Sequence, residues 1–255
     1  MEYLAFEKVG RIGYVTIQNE QEFNALSEKV IAELDDLVKE IEEKREVKVV
    51  VVQGLEKVFS PGHNLREIDK GLPHEVLRLF QNCQGLMKRI REAPQIFIAK
   101  VHGAAVAAGC QLVAICDMAV ASDKARFATP GINSGLFCTT PAVFLARNIG
   151  RKKAAELLFT GSFMSAEEAM KHGLVNKVVP MEELDEATKK MAEDVENKSL
   201  NTIEIGKRAF YQLLNMEDFQ ALNYATEVIA MNSKHPDAVE GITAFLNKRP
   251  PVWDD

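Results

Sequence analysis

The chain has 255 residues, of which 47% are hydrophobic and 27% are charged, so it can bury a substantial core in one domain with an appendage or in two small domains. Its formal net charge of −6 at pH 7 argues against a nucleic-acid-binding surface. The early residues include acids and no long apolar run, which predicts no signal or transit peptide. The cysteines form no CxxC pair and predict reduced thiols in a cytoplasmic protein.

The first part of the chain predicts alternating strands and helices. Runs of β-branched and aromatic residues indicate strands at 12–17, 47–52 and 95–101. Apolar residues at helical spacing indicate one helix that Ser27 can cap and another over 73–91. Strands that alternate with helices predict a layered α/β core.

The middle of the chain contains a long apolar stretch, 96–121. Polar residues interrupt this stretch and its period changes, so it indicates a buried strand followed by a helix over 107–115 rather than a membrane span. From residue 181 onward the pattern is almost entirely helical. The other predicted elements are strands at 118–121, 125–129 and 174–179, and a helix from the capping-box residue Ser165 to Gly173.

Two short segments carry the strongest functional signal. Phe-Ser-Pro-Gly-His-Asn-Leu at 59–65 and Ala-Ala-Gly-Cys-Gln-Leu at 107–112 each place a small-residue turn before a helical pattern. Such a turn leaves a backbone N–H group free, and two N–H donors aimed at one point form an oxyanion hole. Either segment alone is also compatible with an ordinary turn, whereas the pair indicates a shared site.

Together with Tyr14-Val15-Thr16-Ile17, Asn24-Ala25-Leu26 and the tail 245–250, these segments resemble the crotonase (enoyl-CoA hydratase/isomerase) superfamily over nearly the whole chain. The resemblance implies an α/β fold, a crotonase-type spiral of ββα repeats with a C-terminal helical trimerisation region. It divides the chain into a core at 1–196 and a helical oligomerisation region at 197–255, and it implies homotrimers, often paired into hexamers. Several runs, including Gly-Leu-Phe-Cys at 135–138, are similar to one subgroup of the superfamily.

The resemblance also assigns the reacting centre. The backbone N–H groups of His63 and Ala108 are the expected oxyanion-hole donors. Gln111 and Gly131 occupy the two positions where hydratases of the superfamily carry glutamates that hold and activate one water. A glutamine cannot take up a proton and a glycine has no side chain, so we expect hydration to be severely impaired unless another residue substitutes.

Several side chains are candidate substitutes for the missing acids. Asn133 and Ser134 can orient a water but cannot ionise it. We favour solvent-facing roles for Glu67 and Asp69, which leaves His63 and Cys138. The His63 imidazole could titrate near neutrality, but we favour the interpretation that its side chain points away and only its N–H group acts. Cys138 lies just before a helical pattern, where a thiol can become a nucleophile. The alternative for Cys138 is a small apolar side chain that fills space beside the acyl pocket.

The remaining candidate site residues come from the resemblance. It places the pantetheine thioester across His63, Asn64, Leu65 and Arg66, with Ala25 and Leu26 along the CoA channel. Phe245 and Lys248 match tail positions that meet the adenine and phosphates, sometimes from a neighbouring subunit. Solvated helix faces are the alternative for the charged residues. The candidate acyl-pocket residues are Leu86, Met87, Ile90, Phe137 and Phe144, with an ordinary core role as the alternative.

We therefore hypothesise an acyl-CoA enzyme, nominally an enoyl-CoA hydratase or isomerase of fatty acid metabolism, that stabilises a thioester enolate. The alternatives are a non-catalytic acyl-CoA-binding protein and thioester chemistry that depends on Cys138. We expect no cofactor beyond the coenzyme A of the substrate. The sequence has no paired His/Cys spacing that would predict a metal site, and we expect no nucleic-acid or membrane partner.

Overall fold

A computed structural model describes residues 1–55 and 58–254 of the chain. Its strands are β1 Leu4–Val9, β2 Ile12–Ile17, β3 Val49–Gly54, β4 Val58–Ser60, β5 Ile96–Val101, β6 Ala104–Val106, β7 Met118–Ser122, β8 Arg126–Ala128, β9 Phe163–Ser165 and β10 Lys177–Val179. Its α-helices are α1 Glu28–Lys44, α2 Leu65–Lys70, α3 Pro73–Glu92, α4 Ala108–Ile115, α5 Thr139–Asn148, α6 Arg151–Thr160, α7 Ala166–His172, α8 Leu184–Glu196, α9 Leu200–Leu213, α10 Asp218–Asn232 and α11 Pro236–Leu246.

A six-stranded sheet in the order β1-β2-β3-β5-β7-β10 forms the centre of the fold. β1 and β2 pair antiparallel, and the other neighbours in this sheet pair parallel. The run Val49–Val52 in β3 is at most 3% exposed, as expected for a parallel strand that is covered on both faces. The strands predicted at 12–17, 47–52, 95–101 and 118–121 are confirmed within one or two residues at each end.

A second, smaller sheet has the order β4-β6-β8-β9. β4, β6 and β8 pair parallel, and β9 is antiparallel to β8. The same order of elements occurs three times in succession: a strand of the large sheet, a strand of the small sheet, and then one or more helices. The three units are β3–β4–α2–α3, β5–β6–α4 and β7–β8–α5–α6. The spiral of ββα repeats that the resemblance implies is present in this order of elements.

Local signals account for the helix boundaries. Ser27 precedes α1 and its hydroxyl accepts from Val30 N at 3.4 Å. Ser165 and Glu168 form the capping box at the start of α7, and Gly173 ends that helix in a left-handed conformation at φ +86°. Apolar faces of α1 and α3 pack against each other and against the core.

The structure differs from the sequence-based expectations mainly in the short strands. β1 was not expected, because most of its residues are exposed or half-buried and its sequence lacks clear alternation. β4, β6 and β9 have three residues each, which is too short for a periodic signal. The strand expected at 174–179 is shorter than predicted, since pairing with β7 begins only at Lys177.

The end of the chain is helical, as predicted. α8 packs against the large sheet, with Leu184 and Ala187 in its apolar contact. Lys207 in α9 reaches into the core, where its ammonium donates to Ile90 O, Gln95 O and Asp117 Oδ2 at 2.7–2.9 Å. By contrast, α10 buries no residue. The division at residues 196 and 197 stays a prediction.

The C-terminal tail is held by Glu240. Its carboxylate accepts two hydrogen bonds from Arg249 at 2.6 and 2.8 Å and one from Val252 N at 2.9 Å. These bonds lower the pKa of Glu240 to about 2. Next to it, the indole of Trp253 donates to Asn197 O at 2.9 Å, and Trp253 is the only tryptophan in the chain.

We expect the tail to detach at acidic pH. A depressed carboxylate pKa stabilises the folded form above the ordinary glutamate pKa, and this stabilisation is lost as the pH falls through about 2. Tryptophan emission measured between pH 7 and pH 2 should therefore move to longer wavelength. The pKa of Asp237, which accepts from Asp254 N, is also lowered, so Glu240→Gln at pH 7 isolates the role of Glu240. Wild-type emission in that variant would contradict the assignment.

Within the described ranges, no helix combines the length and apolar character needed to cross a membrane.

Candidate functional site

The small sheet brings the predicted site segments together. The segment with His63 follows β4, Ala108 follows β6, and Gly131 follows β8. β4, β6 and β8 are parallel neighbours, so their carboxyl ends lie at the same edge of the sheet. Three loops from distant parts of the chain therefore meet there, which is where α/β sheets commonly bind ligands.

The first loop is shaped by Gly62. Its φ of +95° is unfavourable for residues with a side chain, and a Cβ atom there would lie only 2.9 Å from Ala108 N and 3.0 Å from Val106 O. Gly62 O accepts from Leu26 N at 2.8 Å. Glycine therefore permits close contact between this loop and the loop after β6.

The second loop places Ala108 at the first position of α4. Ala107 precedes it with φ +49° and ψ −117°, a strained conformation of the kind that concentrates at functional sites. Ala107 N donates to Ala128 O at 2.9 Å, and the first intrahelical bond of α4 runs from Gln111 N to Ala107 O at 3.0 Å. Among the described residues, neither Ala108 N–H nor His63 N–H has an acceptor, as expected for donors available to a ligand.

A cavity of about 390 Å³ opens beside these loops. Its walls are mostly apolar, and it is lined by residues from all three loops. The predicted site residues in its lining are His63, Leu65, Ala108, Gly131, Phe137 and Cys138. Phe80 and Thr140, which also line it, were not predicted, because an aromatic residue in a helical pattern and a threonine in the first turn of a helix carry no distinctive signal.

The His63 ring is part of the protein framework. Its Nδ1 lies 3.2 Å from Leu26 O, and its ring packs edge-on against Phe80 with a centroid distance of 5.0 Å. Its Nε2 is buried and has no partner among the described residues. Burial lowers the pKa of His63, and the hydrogen bond to Leu26 partly opposes this shift. Burial therefore favours the neutral imidazole, and the interpretation that only the backbone N–H acts stays a prediction.

Gln111 lies in the first turn of α4 and is only 3% exposed. Its side-chain oxygen is buried and has no hydrogen-bond partner among the described residues. Gln111 lines a second cavity of about 470 Å³, and Phe80 and Thr140 belong to the walls of both cavities. A carboxamide in this position can form hydrogen bonds with a ligand but cannot accept a proton as a base.

Gly131 is closely surrounded. A Cβ atom at this position would lie 2.1 Å from Leu136 O and 2.8 Å from Cys138 Sγ. Both distances are shorter than a non-bonded contact allows, so the loop from 131 to 138 leaves no room for a side chain. The absence of a glutamate at Gly131 is thus accompanied by a loop conformation that excludes one.

We expect Gly131→Glu to destabilise the fold by about 1–3 kcal/mol, because the new side chain overpacks the loop. We also expect no hydration of crotonyl-CoA by this variant, alone or combined with Gln111→Glu. Urea denaturation and a hydration assay test the two expectations. Gly85→Glu is the matched control, since a Cβ at Gly85 in α3 meets nothing within 4 Å and glycine is unfavourable in a helix. Rapid hydration by the double variant would contradict this account.

Cys138 is half-buried and lines the first cavity. Burial raises the pKa of its thiol, although a hydrogen bond from the Gly131 backbone lowers it in part. Cys83, Cys110 and Cys116 are buried, and burial raises the pKa of each to about 12. A raised pKa reduces the thiolate fraction at pH 7, which is unfavourable for nucleophilic chemistry at Cys138.

The predicted CoA contacts fall into two groups. Ala25 and Leu26 are buried, at 5% and 0% exposed. Leu26 forms an isolated parallel β-bridge with His63, so its backbone supports the loop after β4. Asn64 caps α2 by accepting from Arg66 N at 3.0 Å, and its side chain donates to Glu22 at 2.7 Å.

Leu65 is 60% exposed at the first cavity. Arg66 lines a neighbouring surface groove. Phe245 is 82% exposed on α11, and neither it nor Lys248 contributes to either cavity within the described part of the chain.

The candidate acyl-pocket residues also divide. Leu86 and Ile90 are buried in the core, where side chains at helical spacing commonly lie. Met87 and Phe144 line the second cavity, and Phe137 lines the first. Across residues 1–55 and 58–254, no three His, Cys, Asp or Glu side chains are grouped so that they could hold a metal ion.

Comparison with known proteins identifies relatives over nearly the whole chain. A family model described as enoyl-CoA hydratase/isomerase matches residues 7–255. Human enoyl-CoA hydratase domain-containing protein 3, mitochondrial, is 44% identical over 241 residues, which cover 94% of this chain and 79% of the human protein. The short-chain-enoyl-CoA hydratase of Clostridium acetobutylicum is 30% identical over 248 residues and covers 95% of this chain and 94% of that protein.

Solved structures give the same result. An enoyl-CoA hydratase of Mycobacterium smegmatis is 41% identical, with a TM-score of 0.95 and coverage of 99% of both chains. The human enoyl coenzyme A hydratase domain-containing protein 3 is 42% identical, with a TM-score of 0.95 over 98% of this chain and 100% of that one. These matches confirm the crotonase-type fold. The human relative belongs to the subgroup that Gly-Leu-Phe-Cys at 135–138 and the other similar runs indicated.

Proposed function

Because the chain belongs to the enoyl-CoA hydratase/isomerase family, we propose that it binds an acyl-CoA thioester and stabilises negative charge on the thioester oxygen. The observation that carries this proposal is the contact between two loops at the edge of the small sheet. Ala108 begins α4 at this contact. The two loops are so close that a Cβ atom on Gly62 would lie only 2.9 Å from the backbone nitrogen of Ala108. The free N–H groups of Ala108 and His63 are the proposed oxyanion-hole donors.

This arrangement suits reactions that pass through an enolate. Loss of a proton from the carbon next to a thioester carbonyl moves charge onto the carbonyl oxygen. Two backbone N–H donors and the positive end of α4 stabilise that charge without reorganisation. Gln111 can orient a ligand or a water by hydrogen bonding, but the two-carboxylate addition of water is not part of the proposal, because Gln111 and Gly131 cannot act as acid and base.

A second candidate function is binding of acyl-CoA without turnover. The specific observation that favours it is that neither Gln111 nor Gly131 has an ionisable side chain. Thioester chemistry that depends on Cys138 remains the third hypothesis. It predicts an acyl adduct on Cys138 that mass spectrometry of intact protein can detect, whereas burial raises the pKa of the thiol and disfavours this chemistry.

The proposed CoA-binding residues are Ala25, Leu26, Asn64, Leu65, Arg66, Phe245 and Lys248, with coenzyme A as part of the substrate and no separate cofactor. Exposure of Phe245 on α11 supports a contact across subunits rather than within one. The cytoplasmic location stays a prediction, and the human relative is named as mitochondrial.

We also propose that the C-terminal helices join three copies of the chain, and that trimers can pair. α10 buries none of its residues, and isolated helices of this length are marginally stable in water. Large apolar side chains concentrated on α9–α11 favour association, and sedimentation of the purified protein measures it. Those that are 55% to 82% exposed include Phe210, Leu214, Phe219, Leu222, Ile229, Met231, Phe245 and Leu246.

The experiment that tests the proposed function is mass analysis of crotonyl-CoA and a longer enoyl-CoA after incubation with the protein in heavy water. Deuterium at the carbon next to the carbonyl, or migration of the double bond, is the expected result for enolate stabilisation. Tight binding without any exchange supports the binding protein instead. Rapid formation of 3-hydroxyacyl-CoA contradicts the roles given to Gln111 and Gly131, and failure to bind any acyl-CoA contradicts the proposal as a whole.

A further inference from the structure

The second cavity, of about 470 Å³, adjoins the first, since Phe80 and Thr140 line both. Its wall includes apolar side chains such as Met87, Ile115 and Phe144, which suit an acyl chain. The cavity is not apolar throughout, however. Arg91 and Lys88 from α3 also line it, so a positively charged region lies beside the apolar wall.

Arg91 is partly buried and has few partners. Its Nη2 donates to Ile115 O at 3.2 Å, and its guanidinium carbon lies 3.6 Å from the centre of the Tyr211 ring. Its Nε is buried without a hydrogen-bond partner, and no carboxylate within the described ranges lies at ion-pair distance from it. A partly buried cation without a counter-charge is unfavourable, so this site is incomplete without an anion.

The nearby acidic groups do not fill this role. Asp117 is already occupied, since it accepts from Lys207 Nζ, Tyr211 OH and Phe97 N at 2.8 Å each. Glu92 lines the cavity but is exposed, and its closest cation is Lys88 at 3.9 Å. Positive charge therefore exceeds negative charge around this end of the cavity.

We propose that the acyl group of the substrate ends in a carboxylate, which Arg91 binds with support from Lys88. The inference rests on the proposed acyl-CoA binding, because the thioester must lie at the Ala108 and His63 loops for its distal end to enter this cavity. The planar guanidinium matches a carboxylate better than a lysine does. An acyl chain that ends in a methyl group would leave Arg91 without an anionic partner. This cavity therefore suits the CoA thioesters of dicarboxylic acids.

The test compares each acid with its uncharged counterpart in the wild-type protein. Succinyl-, glutaryl-, adipyl- and suberyl-CoA are titrated by calorimetry, together with the monomethyl ester of each. At the best chain length we expect the acid to bind at least about tenfold more tightly than its ester, since a hydrogen-bonded charge pair contributes that much. This comparison needs no variant and does not depend on turnover.

Variants then test whether Arg91 is responsible for the preference for the acid over the ester. Arg91→Met should remove the preference for the acid while leaving the affinity for the ester, and Arg91→Lys should restore part of it. Arg208→Met is the matched control, because this arginine on α9 is 60% exposed and paired with Glu204. Thermal unfolding checks that each variant is folded.

The outcomes separate the two proposals. Equal, tight binding of acid and ester overturns this inference and leaves acyl-CoA binding intact. Equal loss of both ligands in a folded Arg91→Met also overturns it, because Arg91 would then act only through Ile115 and Tyr211. Absence of binding by every thioester overturns the proposed function and this inference together.

Discussion

Ala108→Pro should abolish most of the enolate chemistry, because proline has no N–H group. Ala108 is the first residue of α4, a helix position that accepts proline, but proline favours extended backbone in the preceding residue and Ala107 has φ +49° and ψ −117°. Thermal unfolding of the variant is therefore measured together with the rate. Loss of one oxyanion-hole donor typically reduces the rate about 10²–10³-fold. Deuterium incorporation into a bound acyl-CoA measures the rate, and affinity for the same ligand should fall about fivefold with the lost hydrogen bond.

Arg151→Pro provides the matched control for this change. Arg151 is exposed, begins α6 and follows Gly150, which also has a positive φ, at +78°. This variant places proline at an equivalent helix position away from both cavities, so its exchange rate and melting temperature should match those of the wild type. Wild-type exchange and affinity in a folded Ala108→Pro protein would show that the Ala108 amide does not contact the ligand.

Asp117→Ala should be strongly destabilising, by about 3–5 kcal/mol. The side chains of Asp117 and Lys207 are only 9% and 3% exposed. Removal of the carboxylate leaves the Lys207 ammonium buried without its counter-charge, and it also removes the acceptor for Tyr211 OH and Phe97 N. The free energy of unfolding from urea denaturation, at one fixed protein concentration, measures the effect.

Asp123→Ala is the control for Asp117. This aspartate is 40% exposed, pairs with Lys124 at 3.0 Å, and should contribute about 0–1 kcal/mol. Replacement of the buried pair by Asp117→Leu and Lys207→Met together should recover part of the loss, because no isolated charge remains. A double variant that is less stable than Asp117→Ala would show that the bonds to Phe97 and Tyr211, rather than the ion pair, dominate.

The buried network also connects the helical tail to the proposed substrate site. Lys207 and Tyr211 belong to α9, and Tyr211 supports the Arg91 guanidinium on its ring. Asp117 lies in the short connection between α4 and β7. Damage to this network should therefore loosen the second cavity as well as lower stability, so the Asp117→Ala variant is unsuitable for binding measurements.

The sequence by itself determined the features that depend on neighbours along the chain. Val49–Val52 form a buried strand because β-branched side chains fill both faces of a covered sheet, and Ser27 and Ser165 start helices because their hydroxyls satisfy free N–H groups within three residues. The family was also identifiable, since the segments around Gly62 and Ala108 are contiguous motifs. The assignment of Gln111 and Gly131 to the glutamate positions of hydratases comes from the resemblance and stays a prediction.

Only the tertiary structure decided which of these residues meet. The strands of the small sheet are three residues long, and their pairing brings the loops of His63, Ala108 and Gly131 to one edge; no local pattern encodes such non-local pairing. The crowding that excludes a side chain at Gly131 comes from Leu136 and Cys138, and the unpaired charge of Arg91 depends on Asp117 being held by Lys207, 90 residues away. Burial, steric exclusion and charge balance are set by three-dimensional neighbours, so they could be known only once the chain was folded.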